Sequence, residues 1–243
     1  MQKLNRIFLV LAVMVIFLPL TTLSACKGKK AGNSGEIQDK DTSYAFGMLM
    51  ANTLIGEFGL VGLSFDYQAF ADGFKDYNEA EETRITQDKA MELITAVFDK
   101  LQAQEEEKLW LEGAKNREEG EAYLAANAGR SEVMTTASGL QYEVIKQGSG
   151  PKPGPDDSVM VHYEGTLVDG TVFDSSYRNG QPAEFLLDAV ITGWKEALLL
   201  MNEGSTYRFV IPSNLAYGPS GAGPIPPEST LIFTVELLSV IPE

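Results

Sequence analysis

The sequence predicts an α+β protein: an all-α front half, a long connecting helix, and an antiparallel sheet wrapped around one short helix. Three observations predict it. From Thr42 to about Asn127 the chain has no proline, and apolar residues recur at helical spacing. After Gly129 the pattern switches to period two, in short runs separated by Gly, Pro, Asn and Asp. Within that second half only Gly193–Leu200 reads as a helix, which leaves a sheet with one helix against its face.

Taken in order, residues 1–25 read as an export signal. Lys3 and Arg6 are the only charges before residue 27, and the apolar run Ile7–Leu20 leads to the small-residue exit Leu23-Ser24-Ala25. The run falls short of the ~20 apolar residues that a spanning helix needs. Leu23-Ser24-Ala25-Cys26 resembles a bacterial lipobox, which implies cleavage before Cys26 and lipidation of its sulfur; the competing reading is an incidental cysteine beside an ordinary signal peptidase site. Several acyl chains on one residue anchor stably where a single chain does not. Lys27 behind the cysteine resembles the sorting pattern for the outer membrane, periplasmic face. Residues 26–41 are rich in Gly and Lys, with little to bury, and read as a flexible tether.

Residues 42–86 read as two amphipathic helices. Tyr44, Met48, Ala51 and Ile55 form one stripe, Tyr67, Phe70, Phe74 and Tyr77 another, and Gly56, Gly59 and Gly62 separate them. Two such helices are marginal as a lone core, and pairing their stripes between two copies would complete it, which predicts a homodimerisation domain. The alternative is a small monomeric cap. Thr86 is the expected N-cap of a third helix over 87–127, roughly 60 Å long at 1.5 Å per residue. Its second half has a thin apolar face and two glycines, Gly113 and Gly120, and therefore reads as a solvated stalk or a partly docked one.

Residues 128–243 carry the strand candidates Leu140–Gln147, Val159–Val168, Ala183–Leu187, Thr206–Ile211 and Leu231–Val240. Composition narrows the chemistry available to them. One cysteine excludes a disulfide framework and a thiolate metal site, and one histidine excludes a His-rich zinc centre. A net charge of −15 argues against a nucleic-acid partner. His162 is expected on the opposite strand face from Tyr163, with no catalytic part.

The segments VHYEGTLVDGTVFDSS (161–176), VITGWKEALLLMNEGS (190–205), IPSNLAYG (211–218) and IPPESTLIFTVELLSV (225–240) resemble, in order, the FKBP family of peptidyl-prolyl cis/trans isomerases. The helical front half behind a lipoprotein signal is similar to the dimeric Mip/FkpA type of bacterial FKBP. The resemblance implies isomerase activity on X–Pro bonds of unfolded, exported polypeptides, with no cofactor and no metal. The chemistry suits the residues. Rotating the bond meets a barrier of roughly 18–20 kcal/mol from amide resonance, yet breaks no bond and delivers no proton. It calls for an apolar seat for the prolyl ring and donors for a carbonyl whose charge distribution changes.

Carried over by resemblance, Tyr163, Phe173, Phe185, Val190, Ile225 and Phe233 surround a pocket with Trp194 as its floor. Tyr217 and the backbone N–H of Ile191 are the implied donors, and Asp174 the implied carboxylate beside the twisting amide. Any one of these aromatics taken alone also fits plain core packing. Ala183 stands where many family members carry a further aromatic, which implies a more open wall and weaker macrolide binding. The loop Pro219–Pro224 lacks an aromatic or histidine. A competing function remains: a chaperone or surface module that holds chains in the same groove without turnover.

Overall fold

The computed structural model describes residues 40–57, 64–79 and 82–243. The export signal, nearly all of the tether and Cys26 lie outside the described residues, as do Gly59 and Gly62. Contacts divide the chain into two compact units, one ending at Arg84 and the other running from Ile85 to Glu243.

The first unit contains helix α1 (Lys40–Asn52), a π-helical turn at Thr53–Glu57, and helix α2 (Tyr67–Glu79). Asp66 starts α2: its carboxylate accepts the Ala69 N–H at 3.0 Å and its carbonyl accepts Phe70 N–H. Neither helix buries a single residue. The stripes expected from the sequence are present, and within one chain they face solvent.

The second unit opens with α3, Gln87–Ala128, capped by Thr86, whose hydroxyl accepts the Lys89 N–H at 3.2 Å. Strands β1 (Val133–Thr135), β2 (Gln141–Lys146), β3 (Ser158–Leu167), β4 (Val172–Ser175) and β5 (Ala183–Leu186) follow. Helix α4 (Thr192–Leu200) comes next, then β6 (Thr206–Ile211) and β7 (Leu231–Ile241). The sheet is antiparallel, ordered β1-β2-β6-β7-β3-β4, with β5 also paired to β3. Strand β3 serves two partners along one edge: Ser158–Val161 pair with β5, and Glu164–Thr166 pair with β4 across a bulge at Gly165/Thr166. Trp194, Ala197 and Leu198 of α4 join Phe209, Ile211, Leu231, Phe233 and Leu237 of the sheet in one buried core.

Two strands were not expected. β1 is three residues long, too short to display a period, and β4 is four residues whose pairing is interrupted by the bulge. Of the two readings of the long helix, the partly docked one holds. From Gly113 onward it docks on its own unit, through glycines and polar groups rather than an apolar stripe. A Cβ at Gly120 would collide with Thr230 Oγ1, and one at Gly113 would lie 3.3 Å from Pro227 Cβ. Asn127 donates to buried Gln141 at 2.8 Å, and Gln141 donates to the Leu124 carbonyl at 2.9 Å. Hydropathy cannot register such contacts, because the side chains making them are absent or polar. Among the described residues, no helix is long and apolar enough to cross a membrane.

Candidate functional site

Alternation along β3 and β7 turns Tyr163, Gly165, Phe233 and Val235 toward α4. The register sets Gly165 opposite Phe233 on one side and opposite Asp174 on the other. A side chain at Gly165 has no room, since its Cβ would lie 2.7 Å from both Phe173 Cζ and Phe233 Cε1. The missing side chain lets two phenyl rings fold over the strand backbone. This residue was not among the candidates; the signal was available as an isolated glycine inside a strand pattern, which marks a close approach.

Trp194, in the first turn of α4 and 6% exposed, sits at the centre of the rings. Its centroid lies 5.2 Å from Tyr163, 5.2 Å from Phe185 and 5.1 Å from Phe233, each nearly edge to face. Phe173 packs edge-on to Phe233 at 5.5 Å. Such geometry favours each pair by about 0.5–1.5 kcal/mol beyond the burial of its area. Phe173, Phe185, Val190 and Ile191 are half-buried, so the cluster has an open side. Ile225 is buried in a two-residue bridge with Ala222, each N–H donating to the other's carbonyl at 2.9 Å.

The polar groups stand at the rim. Tyr163 donates its hydroxyl to Asp174 Oδ2 at 2.6 Å, and Ser175 N–H donates to Asp174 Oδ1 at 2.8 Å, while the Asp174 residue stays exposed. Burial first, then the bond to Asp174, then the Asp174 charge and the Tyr217 phenol hold Tyr163 well above the usual tyrosine range. Tyr163 is therefore a neutral donor at any physiological pH. Ile191 is the N-cap of α4, and its carbonyl accepts Trp194 N–H and Lys195 N–H. Among the described residues no acceptor pairs with the Ile191 N–H. Tyr217 follows a 3₁₀ turn (Ser213–Leu215) and is 41% exposed, and no ring stacks on it among the described residues.

Of the ten pocket candidates, Tyr163, Phe173, Phe185, Trp194 and Phe233 form one ring cluster, with Asp174 bonded to it. Val190, Ile191 and Ile225 pack on the same core, and Tyr217 stands beside Tyr163 without joining the rings. His162 lies on the opposite strand face, stacked on Tyr177 at 4.5 Å and within 3.0 Å of Ser176 Oγ.

Comparison with known proteins shows the family. Residues 150–238 match the profile described as "FKBP-type peptidyl-prolyl cis-trans isomerase", and residues 39–144 match "Domain amino terminal to FKBP-type peptidyl-prolyl isomerase". A probable FKBP-type peptidyl-prolyl cis-trans isomerase FkpA of Neisseria meningitidis is 42% identical, over 83% of this chain and 74% of its own length. An outer membrane protein MIP of Legionella longbeachae is 38% identical, over 83% of this chain and 86% of its own. The crystal structure of FkpA from Escherichia coli superimposes with a TM-score of 0.65 at 35% identity, covering 85% of this chain and 99% of that one. With both profiles matched in order and relatives aligned over most of their length, the chain belongs to the FKBP-type peptidyl-prolyl cis-trans isomerase family.

Proposed function

We propose that this isomerase acts outside the cytoplasm on exported polypeptides, anchored by a lipid on Cys26 and paired with a second copy through its first unit. The observation that carries the catalytic part is the ring cluster centred on Trp194, open on one side, with the Ile191 N–H and the Tyr217 hydroxyl making no hydrogen bond among the described residues. Trp194 is the floor of the cradle, and Tyr163, Phe173, Phe185, Val190, Ile225 and Phe233 are its walls. An aromatic cradle holds a pyrrolidine ring by dispersion and exclusion of water.

The rate gain follows from what a twisted amide is. Planar, the bond carries separated charge from resonance and is well solvated by water; twisted, it loses resonance and becomes less polar. Moving it into an apolar cradle therefore favours the twisted form over the planar one. The Ile191 N–H and the Tyr217 hydroxyl donate to substrate carbonyls, which holds the chain on either side of the swivelling bond. Asp174, fixed by Tyr163 and by Ser175, places negative charge where the carbonyl carbon becomes more electrophilic. No proton is transferred, so Tyr163 serves by staying neutral and orienting Asp174.

Export and anchoring are supported by the Leu23-Ser24-Ala25-Cys26 motif behind its apolar run, and by likeness to a relative named as an outer membrane protein. Pairing is supported by helices α1 and α2, which bury nothing and expose Tyr44, Phe46, Met48, Tyr67, Phe74 and Tyr77. The test is a proline-limited refolding reaction with the purified mature chain. Acceleration in proportion to enzyme concentration is expected; binding of the unfolded client with no acceleration would leave only a holding module.

A further inference from the structure

The loop between Tyr217 and β7 closes around one unusual residue. Among the described residues, Glu228 is the only non-glycine with a left-handed backbone, at φ 56°. A residue with a Cβ adopts that conformation at a cost, so its surroundings must hold it there. Three contacts do so. The Glu228 N–H donates to the Gly218 carbonyl at 2.9 Å. Its Oε2 accepts from Ser213 Oγ at 2.8 Å, and its Oε1 accepts from Arg117 Nη2 at 2.5 Å. The bond from Arg117 and, after an opposing effect of burial, the one from Ser213 keep the carboxylate below its ordinary range, so it is ionised at neutral pH.

The positions of these partners matter. Ser213 and Gly218 bracket Tyr217, and Arg117 belongs to α3. Next to Arg117, Asn116 Nδ2 donates to the Pro227 carbonyl at 2.8 Å, so the helix grips the loop at two successive residues. The Tyr217 hydroxyl makes no hydrogen bond among the described residues, and the side chain is substantially exposed. Whatever fixes the backbone on its two sides therefore sets the point and direction from which the phenol is presented.

We propose that Glu228 is a positioning residue for prolyl isomerisation, locking the segment around Tyr217 to Arg117 and thereby making the docked end of α3 part of the site. The proposal rests on the reading of Tyr217 as a donor to substrate. Preorganisation explains why such a tie counts: a donor already in place loses no reorganisation energy when the amide twists, and small misplacements are costly. It also gives the strained backbone a use, since the left-handed turn lets one residue reach Gly218 through its backbone and Ser213 and Arg117 through its side chain.

The experiment compares kcat/KM of the mature chain on a short X–Pro peptide across five proteins: parent, Glu228→Gly, Arg117→Met, Tyr217→Phe, and Glu228→Gly combined with Tyr217→Phe. Glycine accepts φ 56° without strain, so Glu228→Gly removes the carboxylate and spares the turn. Arg117→Met keeps the aliphatic stem and cuts the tie at its helix end. Each of these two is expected to slow catalysis roughly three- to tenfold. In the Tyr217→Phe background, Glu228→Gly is expected to change the rate no further, because both act through one phenol. Parent-like kcat/KM in either Glu228→Gly or Arg117→Met overturns the proposal. Full multiplication of the Glu228→Gly loss onto Tyr217→Phe also overturns it, since a merely structural role acts in that way. A Tyr217→Phe protein as fast as the parent is a different failure: it retires the donor reading itself, and the positioning role with it.

Discussion

Trp194 touches three other rings and reaches solvent with 6% of its surface, a position where one residue serves the core and, in the proposed function, the floor of the cradle. Replacing it with leucine should therefore show two separable effects. Thermal unfolding should register about 1–3 kcal/mol from imperfect refilling of the volume, and turnover should fall further than the folded fraction does. A Trp194→Leu protein that isomerises peptides like the parent would mean that the prolyl ring sits elsewhere. Tyr163 carries a second prediction. Its phenol is raised above the unfolded value near 10, mainly by burial. The stability it contributes is complete below that pH and is lost as pH rises toward the folded value. Tyr177 and Tyr207 are raised as well, also mainly by burial. Alkaline unfolding followed by tyrosinate absorbance should show these phenols ionising late, with Tyr163→Phe removing the largest share of the slope. Family resemblance singled out the five rings that the fold packs together. Gly165 escapes such reading although the packing of Phe173 on Phe233 depends on it, since a residue acts there by lacking a side chain.

At the scale of elements, α3 separates what hydropathy reads from what packing needs. Helix propensity alone says that Gly120→Ala stabilises a free stalk by about 1 kcal/mol. The docked helix reverses the sign. The added methyl group meets Thr230, a stiff β-branched side chain, and overpacking costs about 1–3 kcal/mol. Gly120→Ala is thus expected to lower the unfolding midpoint, and an increase would show that this half of the helix stands free. The same element shows why sequence reading ran out. Its start at Gln87 was visible in the cap residue Thr86, a local feature. Its docking stayed one of two open readings, because the contacts Asn116 to Pro227 and Arg117 to Glu228 each join residues 111 positions apart. Strands β1 and β4 were hidden for a related reason: they are too short for a period, and only the partners β2 and β3 make them strands.

For the whole molecule, the two units pose different problems. The unit from Ile85 to Glu243 has a continuous buried core from Leu140 to Leu237. The first unit leaves its aromatic stripes exposed, and fully burying a side chain such as Phe74 is worth about 1.5–3 kcal/mol. Two copies sharing such stripes supply that burial several times over. Sedimentation of the mature chain should show a dimer that Phe74→Glu dissociates, whereas a parent that is monomeric at micromolar concentration rules the pairing out. Two cradles in one assembly would raise the effective concentration of sites on an unfolded client. Anchoring belongs to the same scale. Cys26→Ser should move the protein from the membrane fraction to the soluble one and abolish incorporation of labelled fatty acid, and retention in the membrane would point to the uncleaved apolar run instead.

The amino-acid order already carries the α+β class, the main strands and the long helix, and family resemblance picks out the rings that gather on Trp194. Each depends on short-range periodicity or on residue types in a fixed order, which a linear string preserves. It takes the folded chain to show that α3 is docked rather than free, that Gly165 opens the strand to two phenyl rings, and that Glu228 joins Arg117 to the flanks of Tyr217. Those features arise where distant segments meet, through a missing side chain, a left-handed turn or a polar bond. None of these leaves a periodic trace along the chain, because its cause lies in the partner.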